Sequence, residues 1–142
     1  MQDFFIRFRT FAVLGLSRKP KSFSRKVYAF LKDEGFILYP VNPHMEKIDD
    51  QEAFKDISSL PPVEAAIFFT NPRVTEKLLP LCKEKGILNV WFQLGSADAN
   101  VLKLAHELGL HFKTSCVFLH RPRAGFPHNV HRFVVKKLGL DH

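Results

Sequence analysis

The sequence is poor in cysteine and has no long hydrophobic run, and each absence excludes a class of protein. Cys82 and Cys116 are the only two cysteines among 142 residues, whereas a disulfide-stabilised scaffold needs more. We therefore expect reduced thiols in a cytoplasmic protein. No apolar run approaches the roughly 18 residues that span a bilayer, so no membrane association is expected. With 46% apolar and 25% charged residues, the chain is expected to form a single globular domain over residues 1–142.

Acidic residues are outnumbered, and the excess of positive charge is clustered. The 21 lysines and arginines against 14 acidic residues give a net charge of +7. Residues 18–26 contain five cations and no acid, and residues 111–142 contain six cations and one acid, Asp141. A basic face is typical of nucleic-acid binding, but no helix-turn-helix, zinc-finger or RNP motif is present. Nucleic acid is therefore a lesser alternative to a phosphate-bearing small molecule.

Short apolar runs alternate with helical patterns along the chain. Strands are predicted at residues 10–16, which suit a buried strand, and at 36–41, 64–70 and 87–93, with a fifth strand within 110–119. The helical patterns between them end at Gly35, Gly86 and Gly109, and glycine commonly follows a helix. Strands that alternate with helices form parallel sheets with right-handed crossovers. We predict a doubly wound, Rossmann-like α/β domain with a parallel sheet of about five strands and helices on both faces.

Capping residues and periodicity give finer predictions. Asn71 and Pro72 predict a helix start. The buried face of that helix is expected to consist of Val74, Leu78, Leu81 and Cys82. Ser96 is expected to cap the next helix, and a short helical piece is expected around residues 51–57. A final amphipathic helix is expected in the tail, residues 119–142.

The carboxyl ends of the strands are the expected ligand site, because open α/β sheets bind ligands where the strand order reverses. The segment after the first strand contains Gly15, Ser17, Arg18 and Lys19. Its glycine would admit a ligand close to the backbone, the following helix start offers N–H groups to an anion, and the cations complement phosphate. Only the first glycine of the G-x-G-x-x-G fingerprint is present. A tight turn with a solvated basic loop is therefore the open alternative.

The segment after the second strand lacks the acidic residue that binds the ribose in NAD-binding folds. Asn42, Pro43 and His44 stand there instead. A ribose that carries an extra phosphate, as in NADP or coenzyme A, fits such a site better than NAD does. The alternative is that Asn42 is a turn residue before a proline.

Several segments together resemble the small stand-alone CoA-binding domain family. They are FAVLGLS with the following K-P, Ser24 and Val27 on the first helix, YPVNP, FFTNP, GI-x-NVWFQ-x-G and a late Ser-Cys pair. The resemblance covers about residues 10–118 and implies a Rossmann-like fold, similar to the CoA-binding domain of the succinyl-CoA synthetase α chain. It implies binding of coenzyme A, free or as an acyl-CoA, at the ends of the strands, and members often have no established reaction.

The resemblance also implies which positions contact the ligand. The matching residues are Gly15, Ser17, Lys19, Ser24, Asn42, Pro43, Thr70, Pro72, Gln93 and Gly95. We add Arg18, Asn71 and Cys116 from their places in the same segments. The chain departs from the family pattern at Ser22 and Phe23, where members often have Arg-Pro, and at Leu94, where a proline is common.

Some of these residues keep a second interpretation. Thr70, Asn71 and Pro72 form either a wall for the adenine or ribose or simply a helix start. Gln93 is polar in an apolar run and needs a partner, which is either the ligand or the backbone. Cys116 is the one candidate nucleophile, and a buried structural cysteine is the opposing interpretation.

The sequence contains no constellation that identifies a reaction. No Tyr/Lys or His/Asp pair is placed for an NADP-dependent reductase, and no phosphorylatable histidine or nucleotide-grasping domain is recognisable. Histidines such as His120, His128 and His131 lack the further ligands of a metal site. An NADP-binding oxidoreductase or a subunit related to CoA ligases is the alternative function, and the oligomeric state is open.

Overall fold

The structure of the chain, a computed structural model, describes residues 3–117. In chain order its elements are α1 (Asp3–Arg7), β1 (Thr10–Leu14), α2 (Phe23–Asp33), β2 (Ile37–Val41), β3 (Lys47–Ile48), β4 (Gln51–Glu52), β5 (Ala65–Phe68), α3 (Pro72–Lys85), β6 (Asn89–Phe92), α4 (Ala99–Glu107) and β7 (His111–Thr114). A 3-10 turn at Ile57–Ser59 precedes β5.

The main sheet has five strands in the order β2-β1-β5-β6-β7, and all neighbouring strands are parallel. In the pair formed by β1 and β2, Thr10 lies beside Ile37 and Leu14 lies beside Val41. The chain moves outward from β1 to β2 and then returns to the other side of β1 with β5. The strand order therefore reverses between β1 and β5, and the predicted Rossmann-like fold is confirmed.

Alternating side chains of the strands supply two cores, one on each face of the sheet. Phe11, Val13 and Trp91 lie in the cluster that also contains apolar residues of α1 and α2. Leu14 and Phe92 lie in the other cluster, together with apolar residues of α3 and α4. Because both faces are covered, the central strands are apolar on both sides and are buried apart from Thr10 and Asn89 at their starts.

The helix ends agree with the predicted glycines but correct one predicted cap. Gly35, Gly86 and Gly109 each directly follow a helix or its last turn, with positive φ angles. The side chain of Asp98, not that of Ser96, caps α4 by accepting a hydrogen bond from the N–H of Val101 at 2.9 Å. Ser96 is buried in the preceding turn and its hydroxyl donates to the carbonyl of Gln93 at 2.7 Å.

The predicted buried face of α3 is partly wrong. Thr75, Leu79 and Cys82 are the buried residues of the helix, whereas Val74 and Leu81 are 39% and 43% exposed. A threonine can occupy the core position because its hydroxyl lies 3.0 Å from the carbonyl oxygen of Asn71 and donates to it. The apolar periodicity therefore marked the edge of the core at Leu78 and Cys82 and the surface next to it at Val74 and Leu81.

The predicted helical piece at residues 51–57 is also wrong. Gln51 and Glu52 form β4, which pairs with β3 in a two-stranded antiparallel hairpin. The turn of this hairpin places Asp49 at φ +55°, a conformation that Asp tolerates better than most residues. Helical geometry begins only at Ile57. The side chain of Asp56 caps this turn by accepting a hydrogen bond from the N–H of Ser59.

Two further points concern the extent of the described chain. The predicted tail helix in residues 119–142 lies outside the described residues. Within residues 3–117, no helix is both long enough and apolar enough to cross a membrane.

Candidate functional site

The segment after β1, residues 15–19, is the first exit loop, and it packs closely against the segment after β5. Gly15 has a φ of +91°, and a Cβ atom built on it would lie 2.7 Å from both the backbone nitrogen and the Cγ2 atom of Thr70. No larger residue fits without displacing the backbone of the neighbouring exit. Gly15 is therefore required by the contact between the two exits, whether or not a ligand also approaches it.

Hydrogen bonds from backbone N–H groups to serine side chains shape the first exit loop. The N–H of Ser17 donates to Ser24 Oγ at 3.0 Å, and the N–H of Lys19 donates to Ser17 Oγ at 3.1 Å. Ser24 is buried at the start of α2, whereas Arg18 and Lys19 are exposed. Ser24 thus holds the backbone of the loop from its buried side, and the two cations lie on the solvent-exposed side of the loop.

The start of α2 carries no negative charge. Ser22 caps the helix, and the first turn contains no acidic residue. A helix start has a partial positive charge and unpaired N–H groups, which acidic side chains usually offset. Arg25 lies in this first turn instead, so the end of the helix that faces the first exit loop favours an external anion.

Arg25 is a functional candidate that the sequence interpretation treated only as part of a basic cluster. Its side chain is 7% exposed, and its guanidinium donates to the carbonyl oxygens of Ser17 at 3.1 Å and Arg18 at 3.4 Å. It also forms an ion pair with Asp49 at 2.8 Å. The signal in the sequence was a cation in the first turn of a helix, where the helix dipole disfavours one.

The segment after β2 is organised by Asn42. Its side-chain oxygen accepts the N–H of His44 at 2.8 Å, and its side-chain nitrogen donates to the carbonyl of Leu16 at 3.4 Å. Asn42 is therefore a turn residue, as the alternative interpretation has it. It also connects this segment to the first exit loop.

A groove of about 400 Å³ lies where these segments meet, at the reversal of the strand order. Four predicted site residues line it, namely Gly15, Asn42, Pro43 and Thr70. Apolar side chains form most of the remaining wall: Leu14, Val41, Ile57, Val74, Leu78 and Leu81. Polar side chains that line the same groove are His44, Lys55 and Asp56. Concave, mainly apolar sites with a few polar groups are where small ligands bind.

The sequence interpretation missed the contribution of α3 to this groove. Val74, Leu78 and Leu81 follow each other along one side of the helix and line the groove with Ile57 of the 3-10 turn. Their spacing was interpreted as a core-facing stripe. The exposure of Val74 and Leu81 is explained if that stripe faces a ligand.

The segment after β5 is divided between the helix start and the groove. Asn71 Oδ1 accepts the N–H of Val74 at 3.0 Å, and Pro72 is the first residue of α3. Both residues therefore serve the helix start, as their second interpretation has it. Thr70 lines the groove, and its hydroxyl lies 2.6 Å from that of Thr75.

The remaining predicted residues lie farther along the sheet and do not line the groove. Gln93 is 2% exposed, and its Oε1 accepts the N–H of Val117 at 3.1 Å, so its partner is backbone. Its Nε2 has no hydrogen-bond partner within residues 3–117. Gly95 lies in an exposed turn, and Cys116 is completely buried, as a structural cysteine would be.

Two titratable groups have pKa values shifted by their surroundings. Hydrogen bonds from Ser58 and Ser59 lower the pKa of the Asp56 carboxyl. Burial raises the pKa of the Cys82 thiol to about 12. Within residues 3–117, no group of three or more His, Cys, Asp or Glu side chains is arranged to hold a metal ion.

Comparison with known proteins identifies the family. Residues 9–122 match the family model described as CoA binding domain. The chain belongs to this CoA-binding domain family. The resemblance predicted from the sequence is confirmed over nearly the same residues.

Relatives of this domain include part of an enzyme. The chain is 34% identical over 92 residues to the α subunit of the ADP-forming acetate–CoA ligase II of Pyrococcus furiosus. This match covers 63% of the chain but only 20% of the ligase subunit, so the chain spans about a fifth of that relative. It is also 29% identical over 107 residues to the uncharacterised protein YneT of Bacillus subtilis, with 72% of the chain and 77% of YneT covered.

A solved structure shares the fold over most of its length. The hypothetical protein from Pyrococcus horikoshii superimposes with a TM-score of 0.76 at 27% identity. The superposition covers 81% of this chain and 82% of that chain. The CoA-binding domain fold therefore also occurs in proteins of about this size.

Proposed function

We propose that this chain binds coenzyme A, free or as an acyl-CoA, at the carboxyl ends of β1, β2 and β5. The observation that carries the proposal is the juxtaposition of two features at the reversal of the strand order. One is a helix start without an acid, and the other is an apolar groove. Membership of the CoA-binding domain family supports the same ligand.

The phosphate-bearing part of the ligand is assigned to the first exit loop. Arg18 and Lys19 are exposed there, and the first turn of α2 offers N–H groups and contains no acidic residue of its own. Ser17 Oγ accepts one hydrogen bond from within the loop and retains its own proton to donate. These groups match the charge and the acceptor oxygens of a pyrophosphate.

The adenosine part is assigned to the groove. Val74, Leu78 and Leu81 offer an apolar wall to a flat base. The ribose is assigned to Asn42, whose position after β2 holds an acid in NAD-binding folds. Lys55 on the groove wall supplies a cation for the additional ribose phosphate of coenzyme A.

We assign binding alone to this chain and no catalytic step. Cys116 is buried, and the groove brings together no nucleophile with an activating base. We further propose that the chain acts in the cytoplasm as a single domain.

Calorimetric titration of the purified chain tests the ligand. Coenzyme A is expected to bind, whereas NAD binds more weakly, and NADP distinguishes the oxidoreductase alternative. Absence of heat at millimolar coenzyme A contradicts the proposal. NADP binding tighter than that of coenzyme A favours the oxidoreductase.

A pair of glutamate substitutions tests the groove. Val74 and Leu88 are both 39% exposed, but only Val74 lines the groove. Val74→Glu places a carboxylate against the ligand and is expected to weaken coenzyme A binding by at least about tenfold, or about 1.4 kcal/mol. Leu88→Glu carries the same change of charge elsewhere and is expected to bind as the unaltered chain does. Equal affinities of the two variants would place the ligand outside the groove.

The second candidate is a subunit of a CoA ligase, which the similarity to the ADP-forming acetate–CoA ligase α subunit favours. The chain spans only 20% of that subunit, so other chains would have to supply the remaining parts. Co-purification of a partner chain, and consumption of acetyl-CoA by that complex with ADP and phosphate, would support the ligase. Binding of coenzyme A without turnover supports a binding protein.

A further inference from the structure

The hairpin formed by β3 and β4 lies beside the first exit loop, and Arg25 connects the two. The guanidinium donates to two carbonyl oxygens of the loop, those of Ser17 and Arg18, and to the carboxylate of Asp49 at the hairpin turn. The side chain of Arg25 thereby joins the loop to the hairpin directly. The ion pair joins a buried partner to one that is 60% exposed.

The hairpin depends on α2 for its position. Each of its strands has two residues, which is too short for independent stability. Ile48 is completely buried in the cluster that contains Val27 and Tyr28 of α2. The hydroxyl of Tyr28 donates to Gln51 Oε1 at 2.8 Å, and Gln51 Nε2 donates to the carbonyl of Leu38. The hairpin is thereby held against α2 and β2, and Asp49 is held in place for Arg25.

The contacts of Arg25 determine how the peptide groups of the loop are oriented. In a trans peptide the C=O and the next N–H point in opposite directions, and the described chain has no cis peptide bonds. Because the carbonyl of Ser17 points to Arg25, the N–H of Arg18 points away from it. A loop released from Arg25 could turn its carbonyl oxygens outward, where they would repel a phosphate.

We propose that Arg25 is a positioning residue, which orients the first exit loop for phosphate by tying two of its carbonyl groups to Asp49 of the hairpin. This inference rests on the proposed binding of coenzyme A at that loop. Arg25 acts through the loop and is not itself assigned a contact with the ligand. Asp49 is assigned to act through Arg25, with which its carboxylate forms an ion pair.

The expected affinities follow from the number of contacts that each substitution removes. Arg25→Gln removes the ion pair and leaves the loop oriented only part of the time. A loop oriented in about a tenth of the molecules weakens coenzyme A binding by about tenfold. Arg25→Lys keeps the charge but lacks the planar fork that reaches several acceptors, so it is expected to be nearly as weak. Asp49→Asn retains both carbonyl contacts and is expected to weaken binding by less than Arg25→Gln.

The matched control is Lys32→Gln. Lys32 is an exposed cation on the same helix, and its replacement removes the same charge without touching the loop. Its affinity for coenzyme A is expected to equal that of the unaltered chain. The double variant Arg25→Gln with Asp49→Asn is expected to match Arg25→Gln alone, because Asp49 has no separate route to the ligand.

Calorimetry with coenzyme A and an NMR titration with adenosine separate positioning from general destabilisation. Adenosine lacks phosphate and is assigned to the groove, so its affinity is expected to be unchanged in Arg25→Gln. A purely structural defect would weaken both ligands. Affinity for coenzyme A in Arg25→Gln equal to that in Lys32→Gln, or full affinity in Arg25→Lys, would overturn the inference.

Amide hydrogen exchange decides the inference without any ligand. Arg25→Gln is expected to speed exchange in residues 15–19 and 47–52 relative to Lys32→Gln, with α3 and α4 unchanged. If the unaltered chain fails to bind coenzyme A, the proposed function is wrong. Faster exchange in both segments of Arg25→Gln would still show that Arg25 links the loop to the hairpin. Unchanged exchange in these segments overturns it.

Discussion

The close approach of the first exit loop to the segment after β5 predicts that Gly15→Ala is strongly destabilising. An alanine there would place its Cβ 2.7 Å from the backbone nitrogen of Thr70, which cannot rotate away as a side chain can. It would also hold an L-residue at a φ of +91°. The left-handed backbone costs about 1–2 kcal/mol, and relief of the overlap costs about 1–3 kcal/mol. Together these terms predict a loss of about 2–5 kcal/mol in the free energy of unfolding.

Gly95→Ala supplies the matched comparison. Gly95 has a φ of +92°, but nothing lies within 4 Å of a Cβ built on it. Its replacement carries only the backbone term of about 1–2 kcal/mol. Urea unfolding of both variants, followed by tryptophan fluorescence, measures the difference. If Gly15→Ala is no less stable than Gly95→Ala, the contact with Thr70 does not explain the glycine.

Three further predictions concern stability and accessibility. Hydrogen bonds, chiefly from the N–H of Arg9, lower the pKa of the Glu64 carboxyl, so its stabilisation is present above the unfolded pKa and is lost as the pH falls through the folded value. Glu64→Gln should therefore lower Tm at pH 7, and a Tm difference that does not narrow in acid would contradict this. Asp98→Ala should lower the free energy of unfolding by about 1 kcal/mol, because it removes a helix cap. It should also speed amide hydrogen exchange in α4 more than Ser96→Ala does, and the reverse order would indicate that Ser96 is the cap. Burial raises the pKa of the Cys82 thiol to about 12, so it should react with a disulfide reagent at pH 8 only after unfolding, and rapid labelling of the native chain would refute its burial.

The sheet could be predicted because three of its strands, β1, β5 and β6, are short, apolar and followed by a helix that ends at a glycine. Trp91 and Phe92 belong to different cores although they are neighbours, as alternation in a strand requires. The hairpin at residues 47–52 could not be predicted in the same way. Its two-residue strands are too short to show a period. Its position depends on contacts with residues distant in the chain, those of Asp49 with Arg25 and of Gln51 with Leu38.

The phosphate side of the site could be predicted in outline from local sequence. Gly15, Ser17 and Lys19 are close in the chain, so their shared loop is visible without the fold. The roles within the loop could not be predicted, because they depend on contacts with later residues. Ser24 supports the backbone of Ser17, and Thr70 accounts for Gly15.

The groove shows why periodicity alone cannot separate a core from a ligand site. An apolar stripe on a helix indicates only that one side avoids water, and a bound base excludes water as a neighbouring strand does. In α3 the two surfaces are adjacent: Thr75 and Leu79 are buried, while Val74 and Leu81 line the groove. A threonine within the buried stripe and apolar residues beside it are the sequence signs of this division. Substitution of Val74 by a charged residue should therefore affect ligand binding more than folding, whereas the same change at Leu79 should prevent folding.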